Sequence, residues 1–122
     1  MVQVCKIHWL SKEALEAEVT LSDGIFSLLC FAQPCYLQLG DKFMDVVHAF
    51  EPTPLRLLAS TCCKVEKLSD NFSYYIEGKM EDTSSGIVRV GEISINVEYS
   101  CIPGDLKNDD YVSFGCSRLD IF

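Results

Sequence analysis

The stretch LEAEVTLSDG (residues 15–24) decides the fold class. Its apolar residues alternate with polar ones, and the polar set includes Glu16 and Glu18. Successive side chains of a β-strand point to opposite faces, so the stretch predicts a strand with one buried face and one acidic face. Asp23-Gly24 then lies between two apolar runs, which is a strong hairpin signal. We therefore predict a β-hairpin whose second strand covers residues 25–32.

The rest of the chain shows the same kind of pattern. Extended segments are predicted over residues 2–10, 36–39, 55–65, 72–80 and 87–99, the last with Gly91 inside it, and the final strand or strands over residues 111–121. Residues 43–50 fit a strand or a short helix, because their apolar spacing is helical but their β-branched and aromatic content is typical of strands. The pattern predicts an all-β or mostly β fold: a small antiparallel barrel or sandwich with at most one or two short helices.

The spacing of glycines and turns favours a barrel. Gly78, Gly91 and Gly115 offer bends at barrel corners, and Gly-Asp turns at 40–41 and 104–105 precede apolar strands. In these features most of the chain resembles the five-stranded OB-type barrel. The resemblance implies a fold only and assigns a role to no residue. The order of turns in the first half also returns in the second, but turn composition alone can produce this, so no internal repeat is inferred.

Length and composition set the expected class of protein. The 122 residues predict one domain spanning 1–122. No apolar run approaches the roughly 20 residues of a membrane span, and the N-terminus has neither a basic region nor a small-residue cleavage site. We expect a cytoplasmic protein without a membrane segment. The seven cysteines are odd in number and lie among apolar neighbours, which predicts reduced packing residues.

Charge indicates the kind of partner. The chain carries 18 acidic and 10 basic residues, a net charge of -8, and no two of its Lys or Arg residues are adjacent. Nucleic-acid binding depends on clustered cations and is therefore disfavoured. A negative field accelerates encounter with a basic protein, although the same charge also keeps an apolar-rich domain soluble.

The sequence lacks a recognisable catalytic, metal or cofactor motif. The cysteine and histidine spacings match no paired zinc-binding pattern, and neither glycine-rich phosphate motif is present. His8 and His48 are the two histidines, so a nucleophilic dyad of His48 with Cys30 or Cys35 stays open as an alternative. We predict no catalytic residue, no metal and no cofactor.

These observations lead to one functional prediction and two alternatives. The prediction is a non-enzymatic, acidic, protein-binding domain that docks on a basic partner, as an inhibitor or immunity-type protein would. The candidate contact residues are acidic or aromatic, since aromatic anchors and rim charges dominate such interfaces: Glu16, Glu18, Tyr74, Tyr75, Asp109, Asp110 and Tyr111. The alternatives are a small enzyme or ligand-binding barrel with a pocket near His48, and an OB-type binder of single-stranded nucleic acid.

Overall fold

The computed structural model describes residues 1–68 and 72–122, and half of the chain lies in β-strands. The described ranges form the strands β1 (Gln3–Ser11), β2 (Glu16–Ser22), β3 (Ser27–Ala32), β4 (Val47–Phe50), β5 (Arg56–Leu57), β6 (Lys64–Lys67), β7 (Tyr74–Asp82), β8 (Ile87–Val90), β9 (Ile93–Asn96), β10 (Tyr111–Cys116) and β11 (Arg118–Ile121). One 3-10 turn covers Tyr99–Cys101. The predicted all-β fold class is confirmed.

The strands form one mixed sheet with an internal symmetry. Their order is β1-β2-β3-β11-β4-β9-β8-β7-β10-β5, and β6 pairs with β7. The pairs β3–β11 and β4–β9 are parallel, and the other pairs are antiparallel. Starting from β1, the order is the meander β1-β2-β3 and then β11, which comes from the second half of the chain. Starting from β7, it is the meander β7-β8-β9 and then β4, which comes from the first half. The strands β1, β2 and β3 thus correspond to β7, β8 and β9, and β4 corresponds to β11.

The first hairpins of the two halves correspond in detail. Each has a register shift just before a loop of four residues, and each loop ends on a residue with positive φ, Leu15 at 56° and Gly86 at 72°. The carbonyl oxygen of that residue accepts a backbone N–H from the segment after the third strand. The distances are 2.8 Å from Cys35 to Leu15 and 2.8 Å from Val97 to Gly86. Turn composition does not show this correspondence, because the two loops, KEAL (12–15) and TSSG (83–86), share no turn motif.

The sheet curls around one apolar core. Alternate residues of β2 and β3 are buried on the inner face, as predicted. The largest fully buried side chains come from both halves: Leu21, Leu28, Ile76, Met80, Ile93, Ile95 and Leu119. Burying each one stabilises the fold by about 1.5–3 kcal/mol before entropy is counted. The Tyr74 hydroxyl accepts the Leu29 N–H at 2.9 Å, which joins the two halves directly.

Several predicted segments differ from those observed. Residues 43–50 end in a strand, β4, while residues 36–39 form none, because the Asp41 carboxylate accepts the Gln38 N–H at 2.8 Å and turns the chain. The single strand predicted over 87–99 is two strands, β8 and β9, since Gly91 at φ 59° reverses the chain. The segment 55–65 contains β5 and the start of β6.

An OB-type barrel has five strands, whereas residues 1–68 and 72–122 form a sheet of eleven strands with two parallel pairs. Among the described residues, no helix has the length and apolar character needed to cross a membrane.

Candidate functional site

A cluster of acidic residues lies at the end of the sheet where β7 turns into β8. We call it the acidic end: the loop 83–86, the 3-10 turn Tyr99–Cys101 and the loop 102–110. The Thr83 N–H donates to the Asn108 side-chain oxygen at 2.9 Å, and the Asp109 N–H donates to the Met80 carbonyl at 2.8 Å. These bonds hold the loop 102–110 against the β7–β8 hairpin.

A pocket of about 220 Å³ lies between these segments, with Tyr99 on its wall. Its lining residues are Thr83, Ser84, Tyr99, Ile102, Pro103, Gly104 and Leu106. The 3-10 turn is closed by the Ile102 N–H donating to the Tyr99 carbonyl at 3.0 Å, and Ile102 packs against the core. Tyr99 points away from that contact and is 76% exposed. The pocket therefore combines the apolar side chains of Ile102 and Leu106 with the polar ones of Thr83 and Ser84 and an accessible aromatic wall.

Carboxylates outnumber cations in and next to these segments. The cations are three: Lys79, Arg89 and Lys107. The carboxylates are six: Glu81, Asp82, Glu98, Asp105, Asp109 and Asp110. Lys79 lies 3.5 Å from Asp109, and Arg89 lies 3.1 Å from Glu81. These exposed pairs contribute little to stability. The acidic end keeps a net negative charge.

The Asp82 carboxylate is held in its ionised form. It accepts the Ser84 hydroxyl at 2.7 Å, and hydrogen bonds from Ser84 and Ser85 lower its pKa below the ordinary value. The bonds also order the loop at the pocket rim. At neutral pH Asp82, which directly precedes Thr83 of the pocket lining, therefore carries a fixed negative charge, and this arrangement suits a cationic group that approaches the pocket.

Three of the predicted contact residues lie at or beside the acidic end. Asp109 has a side chain that is 81% exposed, and Asp110 accepts the Lys107 N–H at 2.9 Å. Tyr111 is half-buried on β10 opposite Lys79. The residues 105–110 resemble a calcium loop only in composition, and no group of three potential metal ligands occurs anywhere in the described ranges.

The other predicted acidic residues lie elsewhere. Glu16 and Glu18 occupy the outer face of β2, and five strands separate β2 from β7 in the sheet order. Glu18 lies 3.7 Å from the ring of His8, and Glu16 accepts the side-chain amide of Gln33 at 3.2 Å. The structure does not place these two carboxylates with Asp109 and Asp110.

The two adjacent tyrosines have opposite environments. Tyr74 is 4% exposed, so its ring belongs to the core and cannot contact a partner; burial raises the pKa of its hydroxyl. Tyr75 points outward, and its hydroxyl donates to Glu77 at 2.5 Å, which raises the pKa of Tyr75. Tyr74 is therefore removed from the predicted contact set.

The groups around His48 do not favour a nucleophilic dyad with Cys30. Its ring packs on Phe122 at 4.9 Å between centroids, and its cross-strand neighbour Asp120 is paired with Arg118 at 2.6 Å. Cys30 is buried, and burial raises the pKa of its thiol; its Sγ donates to the Leu28 carbonyl at 3.9 Å. A buried thiol with a raised pKa is a weak nucleophile.

Phe122 connects His48 to a small apolar pocket. This pocket holds about 110 Å³, and its lining residues carry no charge: Ala32, Pro34, Cys35, Tyr36, Leu37, Phe43, Ile121 and Phe122. Ligand sites normally combine apolar walls with a few convergent polar groups. The alternative of a ligand site near His48 therefore receives no specific support.

Tyr99 is a site residue that the sequence does not predict. The spacing of Ile93, Ile95 and Val97 predicts that Tyr99 faces inward with them on one long strand. The structure ends that strand at Asn96 and turns the chain outward. One sequence feature carries this information: the residues Glu98-Tyr99-Ser100 separate the apolar alternation from Pro103-Gly104.

A scan against models of protein families found no match to this chain, and searches of curated proteins and of solved structures found none either.

Proposed function

We propose that this chain is a non-enzymatic protein-binding domain that docks on a basic protein through its acidic end. The observation that carries the proposal is Tyr99, a 76% exposed aromatic side chain on a pocket. Three of its lining residues, Thr83, Tyr99 and Gly104, are next in the chain to a carboxylate: Asp82, Glu98 and Asp105. Large aromatic residues supply most of the energy of many interfaces, and the charges around them set the sign of the partner. The acidic end combines both features.

Long-range charge and short-range contact contribute to binding in different ways. The net charge of -8 attracts a cationic surface over distances of about 10 Å at moderate salt and raises the encounter rate. Once docked, a Lys or Arg side chain of the partner can stack on Tyr99, which contributes about 0.5–2 kcal/mol. The neighbouring Asp82, already ionised, can pair with the same cation.

A specific form of this proposal is an inhibitor or immunity-type protein. Its acidic end would cover the cationic active site of a nuclease-like partner, where the partner normally holds phosphate groups. Steric cover and charge neutralisation would both block such a site. The proposal needs no catalytic group in this chain.

The test uses a labelled nona-arginine peptide as a cationic probe, with binding measured by fluorescence anisotropy from about 20 to about 300 mM salt. We expect affinity to fall steeply with salt. Tyr99→Ala should weaken binding about tenfold, the size expected when one aromatic contact is lost. Tyr36 is also 76% exposed but lies in the other half, so Tyr36→Ala is the matched control.

Charge is tested by a second matched pair. Asp105→Asn removes an exposed carboxylate at the acidic end, and Glu13→Gln removes an exposed one in the β1–β2 loop. We expect the first to weaken binding more than the second. Salt-independent affinity, or equal losses from Tyr99→Ala and Tyr36→Ala, would show that the acidic end is not the docking site.

A further inference from the structure

The corresponding strands β1 and β7 differ at one edge. The edge of β7 that faces away from β8 is covered by β10, which pairs with Tyr74–Lys79 in antiparallel register. The cover continues to Met80, whose N–H donates to the Asp110 carbonyl at 2.8 Å and whose carbonyl accepts the Asp109 N–H at 2.8 Å. The backbone of β7 is thus paired on this side along almost its whole length.

The same edge of β1 is covered only at its start. The Phe43 N–H donates to Val2 at 2.9 Å, and Val4 exchanges hydrogen bonds with Gly40 at 2.9 Å and Asp41 at 2.8 Å. From Cys5 to Leu10, β1 has backbone pairing with β2 alone among the described residues. Unpaired N–H and C=O groups in such an edge are a template for another strand.

Side-chain burial follows the same difference. Met80 on β7 is fully buried, whereas its counterpart on β1, Trp9, is only partly buried. Ile7, two residues earlier on the same face, is partly buried as well. Two large apolar side chains therefore lie at an edge where the second half of the chain places a further strand. We call Cys5–Leu10 the open edge.

We propose that the open edge binds an extended segment of a partner protein as an antiparallel strand. The template for the segment is β10, which buries Val112, Phe114 and Cys116 at alternate positions on the inner face. The incoming segment carries apolar residues with the same spacing, placed beside Ile7 and Trp9. Backbone hydrogen bonds supply affinity in this mode of recognition, and alternate side chains supply specificity.

Charge favours a partner segment over a second copy of this chain. Two β1 strands paired antiparallel would bring Lys6 of one copy close to Lys6 of the other, and like charges across strands are destabilising. Each copy also carries a net charge of -8. A β1–β1 dimer is therefore disfavoured at two levels.

The experiment uses a peptide with the sequence of residues 109–118, in which serine replaces the cysteine at 116. It is added to the full chain, and amide hydrogen exchange is followed by NMR. We expect the amides of Ile7 and Trp9 to exchange at least about tenfold more slowly with the peptide, since they gain partners. The amides of Ile76 and Met80, already covered by β10, should not change.

Two controls separate edge binding from other effects. The same peptide with N-methyl groups at alternate residues cannot pair along one side and should give no protection. Trp9→Ala should weaken peptide binding, whereas Leu10→Ala, which shortens an exposed side chain beside it, should not.

Three results would overturn the proposal. The first is the absence of protection at Ile7 and Trp9 at saturating peptide. The second is a change at Ile76 and Met80, which would mean that the peptide displaces β10. The third is slow exchange at the open edge without peptide together with a doubled mass in sedimentation, which would identify a second copy as the occupant.

Discussion

The two halves of the sheet share a backbone plan and differ in what they expose. Both contain a three-stranded meander and donate one strand in parallel to the other half. The acidic end belongs to the second half, and the open edge belongs to the first. The features available to a partner are therefore those that the symmetry does not repeat. Shared positions serve folding, and unshared positions are where binding is proposed.

The largest effect on stability is expected at the second turn of each half. The turn between β2 and β3 contacts the turn between β8 and β9. A Cβ added at Gly91 would lie 2.2 Å from a carboxylate oxygen of Asp23 and 2.8 Å from the Phe26 ring, at φ 59°. Gly91→Ala should therefore cost about 3 kcal/mol in the free energy of unfolding. Gly24 has positive φ but open space, so Gly24→Ala should cost only about 1 kcal/mol. Urea denaturation measures both, and equal losses would contradict the close contact.

An intermediate effect on stability is expected at the first turn of each half, which ends at Leu15 or at Gly86. A Cβ at Gly86 would lie 2.6 Å from the Val97 carbonyl oxygen at φ 72°, so Gly86→Ala should cost about 2 kcal/mol. Leu15 already adopts φ 56° with a side chain. Leu15→Gly should change stability by less than about 1 kcal/mol, because relief of strain offsets the extra entropy of glycine in the unfolded chain. Thermal unfolding of both variants tests whether the two loops tolerate a side chain differently.

The smallest effect concerns pH and the carboxylate that joins the halves. Asp23 is partly desolvated, which opposes ionisation, but N–H groups of Glu92, Phe26 and Ile25 outweigh this and lower its pKa. Its stabilising contribution is therefore present above the unfolded pKa of about 3.9 and disappears as pH falls through the lower folded value. Asp23→Asn should reduce stability at pH 7 by about 1 kcal/mol.

The control for this prediction is Asp82, whose lowered pKa depends on Ser84 and Ser85 within one loop. Both asparagine variants should flatten the loss of stability in acid. Urea midpoints between about pH 7 and pH 3 should show the larger change for Asp23→Asn, because Asp23 bonds to the other half. A steeper acid dependence in either variant would reverse the assigned sign.

The fold was predictable where alternation was regular. Residues 15–32 gave a correct hairpin because each buried residue is followed by a polar one up to Asp23-Gly24. The segment 87–99 was predicted wrongly because Gly91 was placed inside one strand. The buried positions change phase there, from Val88 and Val90 to Ile93 and Ile95, and this change marks a turn between two strands. The parallel pairs are long-range contacts, and local sequence patterns do not encode them.

The candidate site was predictable only in part. Asp109 and Asp110 were predicted as contact residues from their charge, because carboxylates that follow a Pro-Gly turn are expected at the surface. Alternation does distinguish Tyr74 from Tyr75: Tyr74 shares a face with Ile76 and Met80, whereas Tyr75 shares one with Glu77 and Lys79. Both were nevertheless included among the predicted contact residues. Tyr99 was missed because its exposure is set by the 3-10 turn and not by the apolar alternation before it.

The parallel insertion of β11 beside β3 and of β4 beside β9 has a consequence for the order of folding events. Neither meander is completed by a neighbouring strand in the chain, so the parallel pairings join residues far apart in sequence: His48 with Asn96, and Phe31 with Asp120. Such high contact order slows folding and delays the gain in stability until distant segments meet. During synthesis the N-terminal meander would stay incomplete until residues 118–121 had emerged from the ribosome.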